Sequence, residues 1–492
     1  MNPRPDFYAI LGISRDATPE EIRRAYVEAA RRLHPDKNVA PGETELFLEI
    51  QQAYETLSDP KRRKAYDATL PPAESTSSIL TPEVIFSRPQ LVRLNEPQLI
   101  YVLLTLRPSP EQLSLPLPAL NVCLVLDRST SMKGVKIDLL KAATIQFLRS
   151  ARPEDIVSVV AFSDRAEVII PASYYRDRLR LETLVRNIQP SGATEIFQGL
   201  QTGLAEVQRA YNNQRINHII LLTDGYTYGD EQACLNLAEE AMRNGIGISA
   251  FGLGTEWNDI FLDQLAGRTG NTSAYIAHPK DIQKFLLEKF KELTNILCDE
   301  VVLMGELSQG VQVNYAFRLQ PQPGPIPFHH TTALGTVIRS EGLSVLFEFL
   351  IHPSALNSSP LTLWSGRIRI SMASQPIPPP PIPLRLERLV EEDASPEPPP
   401  PAIVQALSRL MLYRLYEQAR QDIQAGHHER ATRLLKSLAE HLIRQDQHQL
   451  AHTVLLEAEH LQRKRTFSLT GEKEIKYGTR ALLLPPPGSK QT

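Results

Sequence analysis

Cysteine is scarce in this chain of 492 residues: Cys123, Cys234 and Cys298 lie far apart, and no CxxC pair occurs. A disulfide framework and a zinc site built on thiolates are therefore not expected. No apolar run approaches the length of a membrane span. The amino terminus, MNPRPDFYAILG, lacks the basic-then-apolar build of a signal peptide. Nor is charge of one sign in excess, since a formal net charge of -3 gives no basic surface for nucleic acid. These absences lead to the expectation of a cytoplasmic protein with reduced thiols. The chain also has no GxxxxGK followed by Ser or Thr, no HExxH and no GxSxG, and Asp127-Arg128-Ser129 does not offer the Asp-x-Asp of an aspartate nucleophile. No intrinsic enzyme activity is expected.

What is present is globular. Hydrophobic residues make up 42% and charged residues 22%, which excludes a disordered chain, and the length calls for two to four domains. Composition divides the chain into a helical segment over 1–70 and a linker over 71–82. Extended segments over 83–118 and 299–375 flank a region, 119–298, in which short β-branched runs alternate with helical stretches. Such alternation indicates βα units around a parallel sheet. The flanking extended segments are expected to pair into one β-sandwich with the α/β unit inserted in it. A proline-rich stretch over 376–402 reads as a stiff polyproline II spacer. Helices follow over 403–466, broken at Gln424-Ala425-Gly426, and 467–492 reads as a tail.

The first segment holds a well-marked helical hairpin. In TPEEIRRAYVEAARRLHPD, Thr18 suits a cap, Pro19 the first helical position and Glu21 the third residue after the cap. Ile22, Tyr26, Ala29 and Leu33 then form an apolar face, with Arg23, Arg24, Arg31 and Arg32 largely off it. A second helix, about 43–57, repeats the design with Phe47, Ile50, Tyr54 and Leu57. The loop HPDKN (34–38) would sit at the tip between them. DFYAILGI, the helix ending in HPD, and AYETLSDPKRRKAYD together resemble the J domain of DnaJ-type co-chaperones over residues 5–67. The resemblance implies that His34, Pro35 and Asp36 stimulate ATP hydrolysis by a DnaK-type chaperone. Pro35 restricts the backbone on both sides of itself, Asp36 can accept charge-assisted hydrogen bonds, and Arg23, Arg24 and Arg31 would steer docking to an acidic partner. No Gly/Phe-rich region and no CxxCxGxG repeat follows, so the chain resembles specialised J proteins, whose other domains choose the client.

In the α/β region, NVCLVLDRSTSMKG (121–134) is an apolar strand ending in Asp-x-Ser-x-Ser. SGATEIFQGL contains Thr194, and NHIILLTDG ends in Asp224 and Gly225. Asp127, Ser129, Ser131, Thr194 and Asp224 supply only hard oxygen donors, a set suited to Mg²⁺, with Mn²⁺ or Ca²⁺ as substitutes. The three pieces resemble a von Willebrand factor A domain with an intact metal-ion-dependent adhesion site. By that resemblance Ser129, Ser131 and Thr194 would touch the metal, Asp127 and Asp224 would act largely through water, and a partner's Asp or Glu would fill the open position. One departure is SGAT, with Ala193 where many relatives carry a second glycine.

Among the helices, His441, His448, His452 and His460 include one i, i+4 pair, but no carboxylate or cysteine joins them, and they read as solvated surface. The fold class expected is multidomain α and α/β: a small helical J domain, a doubly wound A domain inserted in a β-sandwich, and a helical bundle. The function expected is that of an adaptor, which binds an acidic-residue-bearing client at the metal site and recruits a DnaK-type chaperone to it. An adaptor subunit working with a ring ATPase is the alternative.

Overall fold

The computed structural model describes residues 7–11, 13, 17–32, 43–67, 79–174, 177–227, 229–373, 375, 378–392 and 397–483, and every element and absence below refers to these. The first four helices are α1 (Phe7–Leu11), α2 (Pro19–Arg32), α3 (Glu43–Leu57) and α4 (Pro60–Asp67). Their shared core contains Tyr8, Ile22, Ile50, Ala53 and Leu57, and Tyr26 of α2 stacks on Tyr54 of α3 at 4.1 Å. The basic KRRKAYD segment forms α4. Asp59 accepts from the amides of Lys61 (2.8 Å) and Arg62 (3.2 Å) at its start. Its far end is tied to α1, where Tyr66 stacks on Phe7 at 4.5 Å and Asp67 accepts from the Tyr8 hydroxyl at 2.7 Å.

Three strands follow: β1 (Leu80–Phe86), β2 (Gln90–Val92) and β3 (Gln98–Pro108). The first of them begins inside the expected 71–82 linker, because Leu80 is fully buried and pairs with Pro108. Then comes the α/β unit, in the order β4 (Ala119–Asp127), α5 (Val135–Ser150), β5 (Ile156–Phe162), β6 (Ala166–Tyr174), α6 (Arg178–Arg186), α7 (Ile196–Arg209), β7 (Arg215–Thr223), α8 (Glu231–Arg243), β8 (Ile246–Leu253), α9 (Asp259–Arg268), β9 (Ser273–Ile276) and α10 (Ile282–Thr294). Its sheet has the order β6-β5-β4-β7-β8-β9, parallel except for the β5–β6 pair. Central strands such as β4 and β7 are covered on both faces and read as continuous apolar runs for that reason. One face packs on α5 and α10 and the other on α7, α8 and α9.

The remaining strands are β10 (Ile296–Leu307), β11 (Val311–Gln320), β12 (Gly324–Pro325), β13 (Thr331–Ile338), β14 (Leu343–Ile351), β15 (Leu361–Ser371) and β16 (Ile382–Glu391). Two five-stranded sheets result, β1-β3-β14-β11-β12 and β13-β10-β15-β16-β2, with one apolar core between them. The α/β unit is inserted between β3 of one sheet and β10 of the other. Two expectations are corrected here. The α/β region was expected to extend to residue 298, but its last helix ends at Thr294 and Ile296 already starts β10. Leu297, Cys298, Val301 and Leu303 of the segment ILCDEVVL enter the sandwich core, and pairing with β13 and β15 wins over helix extension. Nor is the proline-rich stretch a spacer throughout. Leu384, Leu386 and Val390 are buried in β16, which pairs with β15 and, in parallel, with β2.

Four helices close the chain: α11 (Pro401–Gln424), α12 (His428–Arg444), α13 (His448–Lys464) and α14 (Leu469–Ala481). They share a core with Leu103, Phe317 and Leu346 from the outer face of the first sandwich sheet. The last helix overturns the expectation of a tail from residue 467. It docks on the α/β unit through buried charge rather than a long apolar face. Lys476, with 2% of its side chain exposed, lies between Asp259 and Asp263 and is 2.7 Å from the latter. Arg480 grips Asp263 with two bonds of 2.8 and 2.6 Å. Arg420 of α11 reaches Asp259 at 3.0 and 3.2 Å and Glu472 at 2.8 Å. Lys473 donates to the Thr255 carbonyl at 2.6 Å and sits over the Trp257 ring.

Candidate functional site

In the α/β sheet the chain leaves β4 toward β5, then crosses back to place β7 on the other side of β4. The carboxyl ends of β4 and β7 therefore flank the switch point, where open α/β sheets form their binding crevice. Asp127 is the last residue of β4, and Asp224 immediately follows β7. Both are buried. Asp127 Oδ1 accepts from the Ser129 amide at 2.8 Å and Oδ2 from the Thr223 hydroxyl at 2.6 Å. The Ser129 and Ser131 hydroxyls are 2.9 Å apart, and Ser131 donates to Asp224 Oδ1 at 2.6 Å.

Thr194 joins the same group. It is buried in the loop before α7, and that loop is laced to the segment after β4. The Ser191 amide donates to the Arg128 carbonyl at 2.8 Å, and Thr130 donates to the Gly192 carbonyl through its amide (3.1 Å) and hydroxyl (2.9 Å). Gly192 has φ +74, a left-handed conformation that costs glycine nothing. Ala193 has no such requirement, so the SGAT departure leaves the loop intact. Gly225 approaches closely from the third segment, since a Cβ there would lie 2.9 Å from Thr194 Oγ1.

The structure thus brings together Asp127, Ser129, Ser131, Thr194 and Asp224. Ser131 is exposed and the other four are buried, so the cluster opens to solvent on one side. Burial pushes the Asp127 carboxyl up to about 6, against the hydrogen bonds from Thr223 and Ser129, with Asp224 adding to the rise. Two close carboxylates and three hydroxyls, all hard oxygens, fit a small divalent cation by the chemistry of the donor set. No group of three or more His, Cys, Asp or Glu among the described residues has metal-holding geometry, so hydroxyls are indispensable to any such role.

Lys136 belongs to the site and was not anticipated. Its Nζ lies 2.5 Å from Asp224 Oδ2. A signal existed: a lysine in the first turn of α5 faces the positive end of the helix dipole, an unfavourable place unless an anion adjoins it. Tyr226, just beyond Gly225, is also new. Its phenol is pushed up by burial and then by the nearby carboxylates Asp259, Glu472 and Glu256, which puts this loop beside the seam held by α14.

At the other end of the chain, His34, Pro35 and Asp36 lie outside the described residues. Arg23 and Arg24 are exposed on α2, and the side chain of Arg31 is not among those described. His448 and His452 are exposed on α13, in keeping with a solvated surface. No described helix is long and apolar enough to cross a membrane.

Comparison with known proteins agrees with this division. Residues 6–67 match the DnaJ domain, 121–289 the von Willebrand factor type A domain, and 401–485 the Sll0103-like, C-terminal alpha-helical domain. The chain therefore carries an N-terminal DnaJ domain, a von Willebrand A domain and a C-terminal helical domain. The uncharacterized protein sll0103 of Synechocystis is 30% identical over 190 residues, covering 38% of this chain and 45% of that protein. Chaperone protein DnaJ 2 of Thermus thermophilus is 54% identical over 67 residues, or 14% of this chain and 24% of that protein. The chain spans less than half the length of these curated relatives. Among solved structures, a von Willebrand factor type A protein from Catenulispora acidiphila superposes with a TM-score of 0.63 at 15% identity, over 82% of this chain and 98% of that one. The ArnB paralog VWA2 from Sulfolobus acidocaldarius gives 0.51 at 16% identity, over 83% and 100%. At these identities the two likenesses establish the fold.

Proposed function

We propose that this chain is a specialised cytoplasmic J-domain co-chaperone with no catalytic activity of its own. Its A domain holds a client or partner protein, and its J domain brings a DnaK-type chaperone to that client. One observation carries the reading: a DnaJ domain at 6–67 shares the chain with a buried, solvent-open cluster of hydroxyl and carboxylate oxygens at the switch point of an A domain. In this reading His34, Pro35 and Asp36 engage the chaperone, and the exposed Arg23 and Arg24, with Arg31, steer the encounter. Ser129, Ser131 and Thr194 offer hydroxyl oxygens to a Mg²⁺ ion, or to Mn²⁺ or Ca²⁺. Asp127 and Asp224 hold those hydroxyls in register through Thr223, the Ser129 amide and Ser131. A bound divalent ion would supply an electrophilic contact for a carboxylate of the partner.

The test is a steady-state ATPase assay with the host's DnaK-type chaperone. Wild type should stimulate hydrolysis and His34→Gln should not. Equal behaviour of the two would end the J-domain part of the reading. Asp127→Ala, or a chelator, should abolish divalent-dependent partner capture and leave the stimulation unchanged. Capture that survives both would end the part that rests on the metal. Recovery of a ring ATPase in place of a chaperone client would favour the assembly-adaptor alternative.

A further inference from the structure

The site contains more negative charge than its hydrogen bonds balance. Asp127 and Asp224 are both buried, and their serine and threonine partners are neutral. Lys136 is the cation the structure places against them, with its Nζ at 2.5 Å from Asp224 Oδ2 and 34% of its side chain exposed. Asp224 divides its two oxygens. Oδ1 takes the hydroxyl of Ser131, and Oδ2 takes the ammonium. The neighbouring cation Arg128 is directed elsewhere, to Glu167 at 3.2 Å.

This division has two consequences. The ammonium fixes the orientation of Asp224, so that Oδ1 stays turned toward the serines. It also changes the charge that a cation entering the hydroxyl cluster would meet. Two carboxylates alone would neutralise a dication, and the loaded site would have no excess charge with which to attract an anion. With Lys136 in place, a loaded site keeps one unit of positive charge in a poorly screened setting. Entry of the metal is made less favourable, and capture of a carboxylate more so.

We propose that Lys136 is a specificity-determining residue of this site: its ammonium weakens the hold on the divalent ion and reserves positive charge for an anionic partner. The proposal rests on the reading of the cluster as a divalent-cation site. Lys136 lies at the start of α5, where a partly exposed side chain can be replaced without opening a core. Its exposure also lets it move off Asp224 when metal enters, or remain there, and in both cases its charge stays nearby.

The test measures Mn²⁺ binding to the full-length protein by the loss of the free Mn²⁺ paramagnetic resonance signal. Wild type, Lys136→Met, Lys136→Arg and Asp127→Ala are compared. Loss of one neighbouring positive charge should tighten Mn²⁺ binding by Lys136→Met on the order of tenfold. Lys136→Arg, which keeps the charge and alters the shape, should bind as wild type does. A second measurement guards against misfolding: the rise in melting temperature on adding Mn²⁺ should be larger for Lys136→Met than for wild type, because Asp224 lacks its counter-charge until the metal arrives. Unchanged or weaker Mn²⁺ binding by a folded Lys136→Met would overturn the role of Lys136 while leaving the metal site standing. If wild type and Asp127→Ala both fail to bind Mn²⁺, the metal reading itself falls and this proposal falls with it.

Discussion

Two clusters of buried charge lie close together on the α/β unit, and they are built on opposite plans. In the seam between α9 and α14, Asp259 and Asp263 are met by Lys476, Arg480 and Arg420, so each carboxylate has at least two cationic partners. At the switch point, Lys136 pairs with Asp224 alone, and Asp127 has only the neutral Ser129 amide and Thr223 hydroxyl as partners. Their pKa shifts move apart accordingly. Burial raises Asp263, but Arg480 and Lys476 more than offset it and hold the carboxyl well below the usual range. Burial raises Asp127 as well, and its hydrogen bonds do not offset the rise. A saturated cluster is a fastening, because removing any member leaves an uncompensated buried charge. On the proposed reading an unsaturated one is a receptor, because an incoming cation would satisfy what the chain leaves unmet.

The sharpest way to break this comparison is Asp263→Asn. That change leaves Arg480, 7% exposed, and Lys476, 2% exposed, without their shared carboxylate. Breaking a buried pair on one side costs about 3–5 kcal/mol, and the loss should appear as undocking of α14. Hydrogen exchange read over residues 469–481 should show protection falling by that amount, while strands β4 and β7 keep theirs. Unchanged exchange in α14 would mean that the charges are not what fastens it.

How much of this was legible in the residues differs between the two clusters for a physical reason. Asp127, Ser129, Ser131, Thr194 and Asp224 announce themselves because each piece sits at a strand end or helix start, where local pattern is strong. The seam joins Asp259 and Asp263 to partners 161 to 217 positions away, and nothing local in GEKEIKYGTR marks its lysines as buried. Lysine and arginine are ordinarily surface residues, so α14 reads as a tail. A similar blindness hid β16. Ten prolines from 376 to 400 suggest a spacer, yet Leu384, Leu386 and Val390 alternate over a short stretch with Pro383 alone inside the strand. Alternation there was a better guide than composition. In the first domain the helix faces were plain, but what holds α4 was not, because its cohesion comes from α1, through the Phe7–Tyr66 stack and the Tyr8–Asp67 bond.

Acid sharpens the comparison with a smaller effect. Asp259 and Asp263 both have lowered pKa values in the folded chain, with burial opposed by Lys476, Arg480 and Arg420. For a carboxylate depressed on folding, the contribution to stability is fully present above the unfolded value and is lost as pH falls through the folded one. With an unfolded value near 3.9, α14 should stay docked from pH 7 down to about 5. Protection over 469–481 should fall below about pH 4, by about 1.4 kcal/mol for each unit by which a pKa is depressed. In Asp263→Asn the acid loss should shrink, since one of the two titrating groups is gone. A loss of docking already complete by pH 5 would contradict the saturated plan.

The smallest effect is expected where the charges are left unsaturated, and it is the one that separates a receptor from a fastening. Asp224→Asn removes a buried carboxylate whose charge raises its neighbour Asp127. Its partner Lys136 is 34% exposed and can turn to water, so the ammonium is not stranded as Lys476 would be. The lost ion pair is worth about 1 kcal/mol or less in that setting, and relief of the repulsion with Asp127 works against it. Without divalent metal, hydrogen exchange in β4 and β7 should therefore change by less than about 1 kcal/mol. Under the same conditions Asp263→Asn opens α14. With Mn²⁺ present, wild type should gain protection around Asp127 and Thr194, and Asp224→Asn should gain less. If Asp224→Asn instead destabilised the metal-free sheet as strongly as Asp263→Asn destabilises the seam, both clusters would be fastenings, and the charge deficit at the switch point would have no bearing on what the site receives.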